Sequence, residues 1–454
     1  MTHQLTGSRV DAPTSGKDVM ALHTSPTRTL LRGGMVVTMD PALGDLAQGD
    51  VLIEDGRIAA VAATIDTADA EVVDATGKIV LPGFVDTHRH TWQTAFRGIG
   101  ADWTFEEYRV AMHGTLKPHY QPHDVYLGNL FGRIEALSSG VTTMLDWFHC
   151  SDHPENADAA IQALRTAPGR SVFCYCAADD PIAPEITRVR SQLPDDGMAL
   201  GLRGPQLTTM DTTAADVALA RELGLRVSVH MHGATGWPSG RRPIADMRDH
   251  GLLDDRTTFV HCNGISDDQV AMMADAGCSV SISPDVELKM GFGWPETGRM
   301  LAAGIRPSLS IDDCPSAGGD MFATMRTAFA VQRGLDGGLT ARDFVEFATV
   351  DGARACGLDA RTGSITVGKD ADLILLDAED PSVFPINNAV GTIVAAGHPG
   401  LVDSVFVAGR AVKRDGRLLG VDLPALRARL LESRDRIAAA AGIAVDGSGK
   451  PPER

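Results

Sequence analysis

Leu81-Pro82-Gly83-Phe84-Val85-Asp86-Thr87-His88-Arg89-His90 is the stretch that decides how this chain is read. A short run from Lys78 to Val80 leads into a Pro-Gly turn, and Phe84 and Val85 then read as a buried strand. His88 and His90 follow two residues apart, a spacing that puts both side chains on one face of a strand. Two imidazoles aimed at one point are what a zinc-class ion needs from a single strand end. A histidine pair alone fits a polar loop equally well; the buried strand before it favours a metal. Arg89, between them, should point the other way and serve the fold.

Working outward, the segment from Thr29 to Ile79 holds short strands and turns, with a hairpin signal at Asp55-Gly56 and no helical period. Beyond His90 comes a long excursion carrying Trp103, Phe105 and Tyr108, after which apolar strands alternate with helical stretches. The strand candidates after the first are Val141 to Asp146, Ser171 to Cys176, Met198 to Leu202, Leu225 to His230, Thr257 to His261, Ser279 to Ile282 and Ile305 to Asp312. Helical stretches lie at Ala214 to Leu223, Asp267 to Ala276 and Gly298 to Ala303, and a helix from Thr340 to Cys356 closes the set. Such alternation predicts parallel βαβ units, and eight of them predict a (β/α)8 TIM barrel, an α/β fold. The β pattern then returns at Gly363 to Ile365, Ala371 to Leu376 and Val402 to Val412. The expected organisation is a disordered N-terminal segment over 1–28 and a barrel over 83–362. The segments 29–82 and 363–421 should combine into one β-sandwich domain. A terminal helix and polar tail take 422–454.

Composition bounds the partners. The chain has 454 residues, 44% hydrophobic and 22% charged, which is globular, with a formal net charge of −18 that repels phosphate backbones. Nucleic acid is therefore not expected. Seven cysteines, an odd number without a CxxC pair, sit mostly inside apolar runs and read as core residues in a reducing compartment. The residues from Met1 to Thr27 lack an apolar signal core, and no run approaches a transmembrane span. The expectation is a soluble cytoplasmic protein without membrane contact.

Chemistry in a barrel sits at the C-terminal strand ends. Four of these carry candidate ligands: His88 with His90, then His230, His261 and Asp312. Singly, each histidine could be a hydrogen-bonded neutral residue and Asp312 a helix cap. Together they form a borderline-soft site suited to Zn²⁺ or Fe²⁺.

With these residues in hand, the chain resembles the amidohydrolase superfamily, in the branch of cytosine, guanine and S-adenosylhomocysteine deaminases and triazine hydrolases. The resemblance runs from Thr29 to Leu419. It is carried by the opening stretch, His230, His261-Cys262 with Ser266-Asp267-Asp268, Asp312, and the run Gly363-Ser364-Ile365-Thr366-Val367-Gly368-Lys369-Asp370-Ala371-Asp372-Leu373. It implies that His88, His90, His230 and Asp312 hold one divalent metal, Zn²⁺ or alternatively Fe²⁺. It also implies that His261 polarises the reacting group. No lysine stands near Leu202 on the fourth strand to bridge a second ion. The implied activity is metal-dependent hydrolysis of a C–N bond in a small cyclic or heteroaromatic substrate, by deamination or by opening a cyclic amide or amidine, with Asp312 as general base. A hydrolytic dehalogenase and a metal-binding homologue with lost chemistry are the alternatives. A homodimer or higher homo-oligomer is expected.

The sequence departs from the family where a proton must be delivered. The deaminase branch usually has Glu three residues after the fifth-strand histidine; here His230-Met231-His232-Gly233 places a glycine there. The loop after strand seven commonly reads Asn-Pro-x-Ser-Asn; here it is Ser283-Pro284-Asp285-Val286-Glu287-Leu288-Lys289-Met290. Glu287, Asp285 and His232 are the replacement acids available, and Glu287 is taken as the proton shuttle, facing the metal cavity. Trp92, Gln93, Trp103, His149, Phe292 and Trp294 flank strand ends, where aromatic rings could stack on a flat substrate. Of these Trp92, Gln93 and His149, with His232, are the expected substrate contacts. Asp313 reads as a supporting carboxylate or a cap, and His113, His119, His123 and His153 as surface loop residues.

Overall fold

A computed structural model describes residues 28–178, 180–232 and 242–445. Gly233, and with it the position of the replaced glutamate, lies outside the described residues, as do residues 1–27 of the N-terminal segment expected to be disordered; Arg28, counted in that segment, begins the strand Arg28–Val36.

Eight parallel strands run side by side in sequence order: Phe84–Arg89, Val141–Phe148, Arg170–Tyr175, Met198–Gly201, Arg226–Met231, Thr257–His261, Ser279–Ile282 and Ser308–Leu309. They follow the apolar runs because parallel strands are covered on both faces and so read as continuous hydrophobic segments. The first strand is buried at every position. Its entry requires a glycine, since a Cβ at Gly83 would sit 2.2 Å from the Thr142 side chain. The ring closes where the ends of the first and eighth strands meet: Asp312 N–H donates to the His88 carbonyl and His90 N–H to the Asp312 carbonyl, both at 2.9 Å.

The eighth strand is much shorter than Ile305 to Asp312. Pro307 has no N–H to give a ladder, and Asp312 leaves the extended region at φ 66°. The closing helix is likewise two helices, Ala341–Phe347 and Val350–Ala355. The break falls at Thr349, whose φ −133°, ψ −85° is not helical. The loop after the seventh strand contains a short helix, Pro284–Lys289, started by proline at its first turn.

The excursion after His90 coils through Thr91–Phe96, Phe105–Tyr108 and Arg109–Leu116 into the long helix Pro122–Ser138. The C-terminal helix Leu423–Ala441 docks beside that helix, with Ser433 Oγ donating to Asp124 Oδ1 at 2.6 Å. The N- and C-terminal β segments share one module, hydrogen-bonded through as a nine-stranded mixed sheet. Lys78–Pro82 pairs with Leu373–Asp377 across the join. The module has its own apolar core, built from Leu31, Val51, Ile53, Val80, Leu373 and Phe406 among others.

Candidate metal centre

His88 and His90 emerge on one face of the first strand, their rings 4.7 Å apart and edge to face. Arg89 turns away, toward Glu135 and the Gly319 carbonyl. His230 at the end of the fifth strand comes within 4.7 Å of the His88 ring and 5.5 Å of the His90 ring. One nitrogen from each of His88, His90 and His230 lies within 4.8 Å of the others, and a second such group is formed by a nitrogen each from His88 and His261 with a carboxylate oxygen of Asp312. Asp312 Oδ1 sits 3.4 Å from His88 Nε2 and 3.2 Å from His90 Nε2, while Oδ2 lies 3.6 Å from His261 Nε2.

These groups fit a metal ion. Both ring nitrogens of His88 are buried without a hydrogen-bond partner among the described residues. Leaving a buried polar atom unpaired costs about 1–3 kcal/mol, and an ion at the centre of the cluster accounts for Nε2. His90 is prepared for the same role: its Nδ1–H donates to the Trp147 carbonyl at 2.6 Å, which leaves the Nε2 lone pair facing Asp312. Burial pushes His88 down to about 3 and His230 well below the ordinary imidazole range, so both imidazoles are neutral. Burial alone would raise the Asp312 carboxyl; the His88, His90 and His261 imidazoles around it outweigh that and hold the group well below the usual carboxylate range. Neighbouring Asp313 is pushed up to about 7 by burial and by the Asp312 charge, and accepts from Ser316 N–H at 2.8 Å.

His261 is held from behind. Its Nδ1 is 3.2 Å from Glu287 Oε1, the same oxygen that accepts from Ser283 N–H at 2.8 Å. Glu287 Oε2 accepts from Asn263 Nδ2 at 3.4 Å. Glu287 is fully buried, and its carboxylate meets the Nδ1 edge of the imidazole while Nε2 faces Asp312. Asp285 is turned elsewhere, accepting from Thr327 Oγ1 at 2.7 Å. His232 stacks on Phe292 at 4.3 Å and 8°, with Phe105 at its edge and His261 6.0 Å away. Gln206 clasps its backbone, donating to the His232 carbonyl at 2.7 Å and accepting from its N–H at 3.3 Å.

The expected substrate contacts divide. His149 stacks on His90 as one wall, and His232 stacks on Phe292, beside His261, as another. Trp92 and Gln93 are fully buried behind the first of these walls. Gln93 is engaged with the Tyr108 hydroxyl at 2.7 Å, and Trp92 Nε1–H donates to His149 Nδ1 at 3.0 Å. They brace the wall because the excursion folds Tyr108 and Tyr120 over them. Trp103 is buried in the core, whereas Trp294 is 62% exposed. His113 is no surface residue: it packs edge-on against His149 at 4.6 Å and Trp92 at 5.8 Å, and burial pushes it down to about 3. Trp147 and Asn263, which hold His90 and Glu287, escape notice in the sequence. Their one signal is position, Trp147 as the last residue but one of strand two and Asn263 two residues beyond the end of strand six.

Comparison with known proteins follows the same lines. The Amidohydrolase family matches residues 79–412. A 5'-deoxyadenosine deaminase of Methanothermobacter thermautotrophicus is 31% identical over 405 residues, 83% of this chain and 91% of that one. A 5-methylthioadenosine/S-adenosylhomocysteine deaminase of Symbiobacterium thermophilum is 30% identical, covering 90% of this chain and 99% of that one. Among solved structures, an adenosine deaminase from Xanthomonas campestris with bound zinc superposes with a TM-score of 0.83 at 25% identity, over 90% of this chain and 98% of that one. A triazine hydrolase from Arthrobacter aurescens, at 20% identity and TM-score 0.81 over 90% and 100% of the two chains, shares the fold. No helix among the described residues is long and apolar enough to cross a membrane. A barrel with three imidazoles and a carboxylate at one mouth, matched across most of its length, places the chain in the amidohydrolase family, among hydrolases of carbon–nitrogen bonds other than peptide bonds.

Proposed function

We propose that the chain is a zinc-dependent hydrolase that deaminates a small aminated heterocycle. One observation carries the reading: His88, His90, His230 and Asp312 converge with the His88 nitrogens buried and unpaired. The deaminases of adenine derivatives, similar over nearly their whole length, support the choice of an amino-substituted ring. One Zn²⁺ per chain, or Fe²⁺ in its place, would be held by His88, His90, His230 and Asp312. An ion bound there would lower the pKa of a water toward about 7 and so make hydroxide available.

The protein's own groups divide the remaining work. Asp312 Oδ2, on the side away from His88 and His90, takes the proton that the attacking water loses. His261 Nε2 faces the oxygen or nitrogen at the attacked carbon. An ionised Glu287 can only accept, so His261 Nδ1 carries a proton toward it. Asp312 Oδ2, 3.6 Å from His261 Nε2, passes the proton taken from the water to the imidazole; the Glu287 carboxylate stabilises the imidazolium so formed, and Nε2 then gives the proton to the departing amine. Direct delivery by Glu287 gives way, in this reading, to a positioning role exerted through His261. The free thiols of all seven cysteines suit a reducing, cytoplasmic setting.

The test is metal analysis combined with a panel of aminated and halogenated heterocycles, including 5'-deoxyadenosine, 5-methylthioadenosine and aminotriazines. Ammonia release that disappears on metal stripping and returns with Zn²⁺ is expected. Halide release without ammonia would transfer the assignment to a dehalogenase, and full turnover by metal-free protein would refute it.

A further inference from the structure

We propose that His149 recognises substrate by presenting its Nε2–H to a neutral hydrogen-bond acceptor, a ring nitrogen or ring carbonyl, beside the attacked carbon. The inference rests on the hydrolase reading above for what is attacked, and on separate geometry for how it is recognised. His149 follows the second barrel strand and lies flat on His90, with ring centroids 4.3 Å apart and planes within 10°. It therefore stands one ring's thickness from an imidazole proposed to bind the metal.

Its tautomer is dictated by a neighbour. An indole N–H can only donate, and Trp92 Nε1 donates to His149 Nδ1 at 3.0 Å. Nδ1 must supply the lone pair, so the ring proton sits on Nε2. Trp92 has little freedom to change this: it is fully buried, with Tyr120 and His113 packed edge-on at 5.0 and 5.8 Å. His149 is half-buried, and among the described residues no group pairs with its Nε2. A donor fixed in direction and left unpaired is built to be met by something else.

The surroundings select the acceptor's chemistry. The ring is flanked by His90, His113, Trp92 and Trp147, and no ammonium or guanidinium among the described residues hydrogen-bonds to it. The nearby Lys117 is paired with Asp152 at 3.1 Å. Such a wall suits a neutral acceptor on a flat ring better than a phosphate or carboxylate, which would call for a cation.

Two measurements decide the matter. In ¹⁵N NMR of zinc-loaded protein, His149 should show protonated Nε2 and bare Nδ1, and Trp92→Phe should mix the tautomers; a protonated Nδ1 in the parent overturns the proposal. In kinetics, His149→Phe keeps the stack on His90 but removes the donor. Its kcat/KM should fall about 10-fold or more, the worth of one lost hydrogen bond at a site left unpaired, on the best substrate of the panel. On the analogue with C–H in place of the flanking ring nitrogen it should change less than about 3-fold. Equal losses on both, or none, refute the recognition role. If the zinc-loaded parent turns over nothing in the panel, the proposed function fails while the NMR result still judges the tautomer.

Discussion

Replacing Glu287 tests whether the proton is delivered through His261. The Glu287 carboxylate accepts three hydrogen bonds, from Ser283 N–H, His261 Nδ1 and Asn263 Nδ2, in a fully buried position. Glu287→Gln keeps the shape and, through its carbonyl oxygen, the bonds to Ser283 and His261. It loses the charge, and its amide now confronts the Asn263 amide. A hydrogen bond to a charged group contributes about 1.5–3 kcal/mol and a neutral one about 0.5–1.5. The imidazolium form of His261 should therefore lose roughly 1–1.5 kcal/mol of support, which is on the order of 10-fold in kcat. Glu287→Ala strands two buried donors, Ser283 N–H and His261 Nδ1, at about 1–3 kcal/mol each, while Asn263 Nδ2 keeps the Trp294 carbonyl; that is enough to threaten the fold, so Gln is the informative variant. Steady-state kinetics on zinc-loaded protein, with metal content and urea stability measured alongside, would read the effect. The expected pattern is a lower kcat at unchanged zinc content and little change in KM. A Gln variant within about 2-fold of the parent kcat would refute the coupling of Glu287 to His261. A loss beyond about 10⁴-fold, the upper range for a general acid, would instead restore Glu287 as the direct donor.

Three further outcomes follow from the same geometry. His88→Ala and Asp312→Ala should each lose bound zinc by elemental analysis and fall to background activity; either variant retaining both would remove that residue from the metal centre. Asp285→Asn should leave kcat within about 3-fold, because Asp285 bonds to Thr327 and not to His261; a collapse in kcat would make Asp285 the missing acid. His113 is pushed down to about 3 by burial, whereas the unfolded imidazole titrates near 6.5, so the unfolded chain binds the extra proton between those values. The stability this neutral His113 contributes is complete above about pH 6.5 and is lost as pH falls, by roughly 2 kcal/mol at pH 5. Urea titrations should therefore show a shallower acid loss in His113→Asn, and identical pH slopes would refute the assignment.

How much of this was legible in the chain depends on range. His88 and His90 could be placed on one face because strand periodicity is local, and the eight strands could be seen because a doubly covered sheet leaves unbroken apolar runs. The shortness of the eighth strand was half visible in Pro307; the φ of 66° at Asp312 was not. The roles of Trp92, Gln93 and His113 were hidden because they depend on how the excursion folds Tyr108 and Tyr120 back over the first strand's end. The posture of Glu287 was hidden for a different reason. Its six-residue helix starts at Pro284 and turns the carboxylate onto His261, a contact across 26 residues that no local pattern encodes.

Barrel closure and placement of the Asp312 carboxylate meet in one residue. His261, Cys262 and Asp312 hold left-handed φ values of 74°, 65° and 66°, which cost non-glycine residues about 1–3 kcal/mol each. The surrounding hydrogen bonds maintain them. Cys262 N–H donates to the Met231 carbonyl at 2.7 Å, and Asp312 gives its N–H to His88 and takes the N–H of His90. An Asp312 in ordinary extended geometry would continue the strand and alternate with Ile311 across the sheet. The left-handed turn instead swings its carboxylate toward His88, His90 and His261 while its backbone bridges the first strand. The strain is thus located where the eighth strand must end and where the carboxylate must arrive. Both closing bonds are made by backbone atoms, so Asp312→Ala leaves them available, and metal loss in that variant can be read separately from failure of the barrel to close.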